Sequence, residues 1–329
     1  MTFCKNCGNQ LDENTKFCPK CGTPIKQTSL SEKTETDSIQ NKTVKHSSNI
    51  YGKINLEDLP KGHLIDNRYE IKEKIGQGGF GAIYRVLDKK MNIEKALKII
   101  PEAIVNDEEA MTDLQNESRT MIALNHPNIV RVYDFHDEGE IKYIDMEFID
   151  GKTLTKIKLE HQNKQIPEEK VKEYAIKIAE GLAYAHANNV IHKDIKPQNI
   201  MLNKKGEMKI MDFGIAETVR TTMSRLQNSS SSGTLVYMSP EQLRGKNVGK
   251  ESDIYSFGAM LYELLSGHPP FYKGDINYQI INEKPEKLDF VSDTIDKMLM
   301  KCLEKEYKDR FSNFEEIILF ISERSKKNK

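Results

Sequence analysis

Two short stretches rich in β-branched and aromatic side chains flank a run of glycines, Ile75-Gly76-Gln77-Gly78-Gly79-Phe80-Gly81-Ala82. This arrangement restricts the fold more than any other feature of the chain. The Gly-x-Gly-x-x-Gly spacing removes Cβ atoms and so lets backbone amides close on an anion, although an ordinary glycine-rich turn carries the same run. In dinucleotide-binding folds such a run opens a helix. Here Ala82-Ile83-Tyr84-Arg85-Val86 continues as a strand instead, so the glycines belong to a β-hairpin. A hairpin needs a sheet around it. Strand-like stretches at 69–75, 82–87, 96–100, 129–135 and 143–149 supply one, interrupted by a helical stretch over about 107–124.

After Gly151 the periodicity changes. Val171, Tyr174, Ala175, Ile178, Leu182 and His186 recur at spacings of three and four, the signature of one helix face. Further helices are predicted over 254–265 and 295–303. A strand-rich lobe over 67–150 followed by a helical lobe over 151–323 makes an α+β, bilobal chain, and the cleft between such lobes is a natural ligand site. Ahead of them, residues 26–66 are polar with Tyr51 as the one aromatic. Such a segment buries too little apolar surface to offset chain entropy and reads as a flexible linker. Residues 324–329 form a charged tail.

Composition excludes some classes of partner. Lys and Arg total 49 against 50 Asp and Glu in 329 residues, so bulk attraction to nucleic acid or an anionic membrane is not expected. Residues 254–265, the most apolar stretch, contain Ser256, Gly258 and Glu263 and fall short of the ~20 residues a membrane helix needs. They read as a buried core helix. With a polar N-terminus and no secretory signal, the expected location is cytoplasmic, without membrane insertion.

Four of the five cysteines crowd into residues 4–21. Cys4-Lys5-Asn6-Cys7-Gly8 is echoed by Cys18-Pro19-Lys20-Cys21-Gly22. Four thiolates on two tight turns suit a tetrahedral, structural Zn²⁺ with no open position for catalysis. Residues 1–25 cannot form a core alone, so the metal would supply the folding energy. Two disulfides or a redox dithiol are the alternatives. The pattern resembles short zinc ribbons at the N-termini of prokaryotic proteins, and the module is expected to be structural or a tag for a protein partner. Lys5, Lys16 and Lys20 with Phe3 and Phe17 make a thin basis for nucleic-acid binding. Cys302, alone in a helical pattern, is expected to be an inert core residue.

The rest of the chain carries an ordered series of phrases: Ala96-Leu97-Lys98; Glu117, then His126-Pro127-Asn128-Ile129-Val130; Val190-Ile191-His192-Lys193-Asp194-Ile195-Lys196-Pro197-Gln198-Asn199; Asp212-Phe213-Gly214; Gly233-Thr234-Leu235-Val236-Tyr237-Met238-Ser239-Pro240-Glu241; Ser252-Asp253-Ile254-Tyr255-Ser256-Phe257-Gly258; and Tyr307-Lys308-Asp309-Arg310-Phe311. Over residues 69–321 this series resembles the eukaryotic-type (Hanks-type) serine/threonine protein kinase family, in its bacterial branch. The resemblance implies a bilobal kinase fold behind a zinc ribbon. It also implies transfer of the γ-phosphoryl group of ATP to Ser or Thr hydroxyls of protein substrates, with Mg²⁺ or Mn²⁺.

By the same resemblance Asp194 orients the substrate hydroxyl and takes its proton, and Lys196 stabilises the transferring group. Asn199 and Asp212 hold the metal. Lys98 binds the α and β phosphates, with Glu117 as its partner; Glu108 and Glu109 fit that spacing less well. Ile75, Gly76, Gly78 and Gly81 cover the nucleotide. Ile83, Ala96 and Met201 sandwich the adenine, Met146 stands behind it, and Glu147 and Ile149 offer backbone hydrogen bonds. Glu241 is expected to pair with Arg310, and Asp253 to anchor the catalytic loop.

Two departures stand out. Lys193 replaces an arginine that in the family grips a phosphorylated loop, keeping the charge but losing the fork. Ser239 replaces the usual alanine, a change expected to matter little. Thr218, Thr221, Thr222, Ser224 and Ser229 to Ser232 are candidate autophosphorylation sites, with the protein itself as substrate in trans, and a disordered polar loop is the alternative reading; Thr234 is expected to contact Asp194 and Lys196. The rival reading is a pseudokinase scaffold that binds nucleotide and partners without transfer.

Overall fold

The structure is a computed structural model and describes residues 2–3, 10–11, 56, 58–78, 81–213, 235–246 and 248–325. The zinc ligands Cys4, Cys7, Cys18 and Cys21, the loop tip at Gly79 and Phe80, and the hydroxyl-rich segment through Thr234 lie outside the described residues. The chain divides into two units, Met1–Gly52 and Lys53–Lys329. In the first, β1 (Thr2–Phe3) pairs antiparallel with β2 (Gln10–Leu11), a hairpin that in sequence encloses Cys4 and Cys7.

The second unit begins with a six-stranded antiparallel sheet. Its strands are β3 (Leu64–Ile65), β4 (Tyr69–Gly78), β5 (Gly81–Asp88), β6 (Ile93–Ile99), β7 (Val132–His136) and β8 (Tyr143–Glu147), in the order β3-β4-β5-β6-β8-β7. Cross-strand partners share a face. The register sets Ile83 opposite Lys98 and Lys98 opposite Ile144, while Ala96 pairs with both Arg85 and Met146. Ile83, Ala96, Lys98 and Met146 therefore line one face. On the other face Tyr69, Ile71, Ala82, Tyr84, Val86, Leu97 and Tyr143 form a separate small core.

That second core corrects the linker reading at its C-terminal end. Leu59 is 5% exposed and Ile65 1%, and both belong to this core. The Leu59 N–H donates to the Tyr84 hydroxyl at 2.9 Å. A mean over a polar window hides isolated anchors that each fill a specific gap: Leu59 packs on the sheet, and Leu64–Ile65 join it as β3.

Helix α1 (Glu102–Val105) leads into α2 (Glu108–Ala123), capped by the Asp107 carboxylate accepting from Ala110 N at 3.0 Å. Ala110, Leu114, Ser118 and Met121 form its buried stripe. The strand expected over 129–135 begins only at Val132. Before it, Ile129 makes an isolated parallel bridge to Ile210, and Val130 N donates to Ile210 O at 2.9 Å. Extended sequence here stitches the strand-rich lobe to the helical one.

The second lobe opens with β9 (Gly151–Thr153), α3 (Leu154–Glu160) and α4 (Glu168–Ala187). It continues through β10 (Ile200–Asn203) and β11 (Met208–Ile210), which join β9 in a small sheet of order β11-β10-β9. Then follow α5 (Pro240–Leu243), α6 (Lys250–Ser266), α7 (Ile276–Asn282), α8 (Asp293–Cys302) and α9 (Phe314–Ser325). The face predicted for α4, Val171 through His186, is buried as expected. Helix α9 takes in residues 324 and 325, and the rest of the charged tail lies outside the described residues. In α6 every residue from Ser252 to Ser266 is buried, which marks it as the lobe's central post. Gly258 lets α8 approach: a Cβ there would lie 2.6 Å from Cys302 Cβ. Cys302 is fully buried, as expected, and burial pushes its thiol well above the usual range. Among the described residues no helix is long and apolar enough to cross a membrane.

Candidate active site

The catalytic-loop phrase is held from below by α6. Asp253, fully buried, accepts from His192 N at 2.8 Å and Lys193 N at 2.8 Å, and contacts His186 Nε2 at 2.8 Å. Three partners on one buried carboxylate satisfy a charge that would otherwise be costly there. His192 Nε2 meets Met211 O at 2.9 Å, and its ring packs on Phe213 at 4.5 Å between centroids. Phe213 is buried in the main core with Met121 of α2 and Ile144 of β8. The loop, the Asp212-Phe213 turn and α2 thus share one packed interior.

Within this frame the expected charged residues converge. Lys98, 4% exposed on β6, donates from Nζ to Asp212 Oδ1 at 2.7 Å. Lys196 Nζ lies 2.7 Å from Asp194 Oδ2. Asn199 Nδ2 donates to Asp194 O at 2.8 Å and to Asp194 Oδ2 at 3.0 Å. The other carboxylate oxygen, Asp194 Oδ1, is buried and accepts no hydrogen bond. A buried acceptor left open is poised for a donor from outside the chain.

Burial pushes the Asp212 carboxyl up, but the Lys98 ammonium outweighs it, with His192 and Lys196 adding to the effect, and the group is held below its usual range. Asp212 and Lys193 both have left-handed backbone, φ 58° and 67°. This costs about 1 kcal/mol each for non-glycine residues, and such strain clusters where side chains must be aimed. The oxygen donors of Asn199 and Asp212 fit a hard cation such as Mg²⁺. The Asn199 amide N–H group is spent on Asp194, so its carbonyl oxygen is the atom left for a metal.

Glu117 stands half-buried on α2, three and four residues from Leu114 and Met121 on the core-facing side. The Lys98–Asp212 contact was not anticipated. Around the cleft, Ile83 and Met146 are half-buried and Ala96 is buried on the shared sheet face. Gly76 pairs with Ile83, and the bulge at Lys74/Gly76 leaves Ile75 43% exposed. Gly78 pairs with Gly81, which closes the hairpin at φ 99°. Met201 pairs with Thr153 in the lower sheet. The Glu147 N–H is committed to Arg131 O at 2.8 Å. Among the described residues neither the N–H nor the carbonyl of Ile149 enters a hydrogen bond.

The end of the 235–243 segment is tied down three ways. Arg310 grips Glu241 through both terminal nitrogens at 2.8 and 2.9 Å, with Ser252 Oγ adding a 2.6 Å bond. Burial raises the Glu241 carboxyl, but the Arg310 hydrogen bonds win and hold it down at about 2. Tyr237 OH donates to buried Glu263, whose other oxygen takes the Lys158 ammonium from α3. The sequence alone assigns no role to Lys158, Glu263 or Tyr237.

The third tie corrects the expectation for Ser239. It is fully buried and builds a capping box: its Oγ accepts from Gln242 N at 3.3 Å and Gln242 Oε1 accepts from Ser239 N at 3.0 Å. Alanine could not do this. The signal was present in Ser239-Pro240-Glu241-Gln242, which fits the Ser-x-x-Gln capping pattern.

Comparison with known proteins agrees with this geometry. A family model described as protein kinase domain matches residues 69–319, and a zinc-ribbon domain model matches residues 3–25. A probable serine/threonine-protein kinase of Clostridium acetobutylicum is 36% identical over 269 residues, covering 78% of this chain and 40% of its own length. Serine/threonine-protein kinase PknB of Mycobacterium leprae is 35% identical over 267 residues, covering 78% and 42%. The chain thus spans about two fifths of the length of these curated relatives. The crystal structure of the Mycobacterium tuberculosis PknI kinase domain superposes with a TM-score of 0.65 at 26% identity, covering 82% of this chain and 100% of that one.

Proposed function

The chain belongs to the protein kinase family, and on that premise we propose that it is an ATP-dependent protein serine/threonine kinase. The observation that carries the reading is the Asp194 carboxylate. One oxygen is engaged by Lys196 and Asn199; the other is buried and unpartnered. That is the demand of a hydroxyl acceptor in phosphoryl transfer, where positioning and charge neutralisation do most of the catalysis.

In the reaction a substrate Ser or Thr oxygen attacks the γ-phosphorus. The new O–P bond forms as the bond to the β,γ-bridging oxygen breaks, and that electron pair leaves with ADP. The hydroxyl proton passes to Asp194. Lys196 neutralises charge on the transferring group, Lys98 steadies the α and β phosphates, and Glu117 steadies Lys98. Asn199 and Asp212 would hold Mg²⁺ (or Mn²⁺), which when bound offsets charge on the β and γ phosphates. Ile83, Ala96, Met146 and Met201 enclose the adenine beneath the hairpin of Ile75, Gly76, Gly78 and Gly81. The unengaged Ile149 backbone and the Glu147 carbonyl hydrogen-bond its edge.

The same reading assigns residues 67–150 and 151–323 to the two kinase lobes and a structural zinc to Cys4, Cys7, Cys18 and Cys21 in the module of residues 1–25. The hairpin around the first cysteine pair and the zinc-ribbon match support the zinc site. Protein substrates, the chain's own hydroxyl-rich loop, a protein partner for the ribbon and a cytoplasmic location complete it.

The test is transfer of labelled phosphate from ATP with Mg²⁺ to the protein and to a generic basic substrate. Asp194→Asn and Asp212→Asn are expected to abolish it. A parent protein that binds ATP but transfers nothing, with candidate partners added, would make the scaffold reading correct.

A further inference from the structure

The aim of Asp194 depends on the peptide plane that joins it to Lys193, and that plane is held at both ends. Its N–H, on Asp194, donates to His192 Nδ1 at 3.2 Å. Its carbonyl, on Lys193, accepts from Gln242 Nε2 at 2.8 Å. Lys193 also gives its own N–H to Asp253 Oδ1 at 2.8 Å. A residue with left-handed φ of 67° persists where its surroundings over-determine it. Here the surroundings are Asp253 on one side and Gln242 on the other.

Gln242 is well placed to act as a clamp because it stands on a fixed base. Its neighbour Glu241 is locked to Arg310. Its own Oε1 is oriented by Ser239 N at 3.0 Å and Ser239 Oγ at 3.2 Å. With the oxygen held there, the amide nitrogen is left facing the Lys193 carbonyl. No resemblance assigned a role to Gln242.

We propose that Gln242 is a positioning residue for phosphoryl transfer, coupling the ordered 239–242 turn directly to the backbone that aims the Asp194 carboxylate. The 239–242 turn is thereby read by the hydroxyl acceptor through one neutral hydrogen bond to the Lys193 carbonyl. The inference rests on the transferase reading of the site.

Gln242→Glu separates the clamp from the cap. A carboxylate still accepts from Ser239, as glutamate does in a capping box, but its second oxygen faces the Lys193 carbonyl with no proton to donate. The expected result near pH 8 is a kcat at least ~10-fold below the parent, because small misplacements of reacting groups are costly. KM for ATP stays within about twofold and Tm stays close to the parent. As pH falls the acid form regains a donor, so the variant-to-parent ratio of kcat rises. Gln242→Met, of similar length and without a donor, loses activity at every pH, and Ser239→Ala, which keeps the backbone N–H to Gln242 Oε1 but loses both hydroxyl bonds, measures how much of any effect comes from the cap.

Hydrogen exchange over residues 190–199 reads the clamp without activity: faster exchange is expected in Gln242→Glu, with α6 unchanged. A Gln242→Glu enzyme with parental kcat at pH 8 overturns the proposal. So does a kcat loss in Gln242→Glu that is the same at every pH and that Ser239→Ala reproduces in full. Unchanged exchange overturns it even if the parent transfers no phosphate, whereas a silent parent with altered exchange in the variant refutes the transferase reading instead.

Discussion

Glu241→Gln should cost the fold about 3 kcal/mol near neutral pH, and the structure supplies two routes to that figure. The Arg310 side chain has no exposed surface, and both terminal nitrogens reach the Glu241 carboxylate. Removing one charge of a buried pair leaves the other without a counter-charge, an error of ~3–5 kcal/mol. Independently, the Arg310 hydrogen bonds hold the Glu241 carboxyl down at about 2 against an ordinary 4.5. At about 1.4 kcal/mol per pH unit this gives about 3.5 kcal/mol, in line with the first route.

The folded value is depressed, so the stabilisation is fully present above about 4.5 and is lost as pH falls toward 2. Urea unfolding of parent and Glu241→Gln at pH 7 and pH 3 measures it. The gap should be about 3 kcal/mol at pH 7 and less than half that at pH 3. A gap under ~1 kcal/mol at pH 7, the range of exposed pairs, or one equal at both pH values, would refute the reasoning.

Other sites give sharper yes-or-no outcomes. Gly258→Ala forces a Cβ to within 2.6 Å of Cys302 Cβ, so calorimetry should show a lower Tm from ~1–3 kcal/mol of overpacking between α6 and α8; an unchanged Tm would mean the helices part freely. Lys95 lies 2.6 Å from Asp145 and 3.6 Å from Asp88, both almost fully buried. Lys95→Met should therefore destabilise by roughly 3 kcal/mol, while Arg85→Met, whose partners Glu73 and Glu94 are exposed, should cost under ~1 kcal/mol. Equal costs in urea titrations would contradict this ranking. Peptide mapping after iodoacetamide at pH 8 should find Cys302 unlabelled in native protein and labelled in urea, since burial both hides the thiol and raises its pKa; native labelling would show that α8 opens readily.

The catalytic constellation was legible because its residues come in short phrases. Asp194, Lys196 and Asn199 share one loop, and contacts at such short range are nearly implied by spacing. The α4 stripe from Val171 to His186 was legible for a similar reason: helical period and burial coincide. Where a contact joins distant segments, legibility fell. Nothing local pointed from Lys98 to Asp212, from Lys158 to Glu263 and on to Tyr237, or from Gln242 to the Lys193 carbonyl. Ser239 was undervalued because a one-residue change was weighed without the turn it caps. Leu59 and Ile65 were lost in a polar average although each fills a gap beside Tyr84 and Tyr69.

Sequence by itself determined the kind of chain this is: a glycine run between strands, a helical second lobe, paired Cys-x-x-Cys phrases, and the ordered Lys98, Asp194, Asn199 and Asp212. Side-chain chemistry and short-range spacing are properties of the covalent chain. Tertiary structure decided how those groups are held: which carboxylate oxygen stays open, which cation is spent on which anion, and which neighbour clamps the Lys193 peptide. Such choices depend on distances between segments far apart in sequence, and those are set when α6, α5 and the sheet pack around one core.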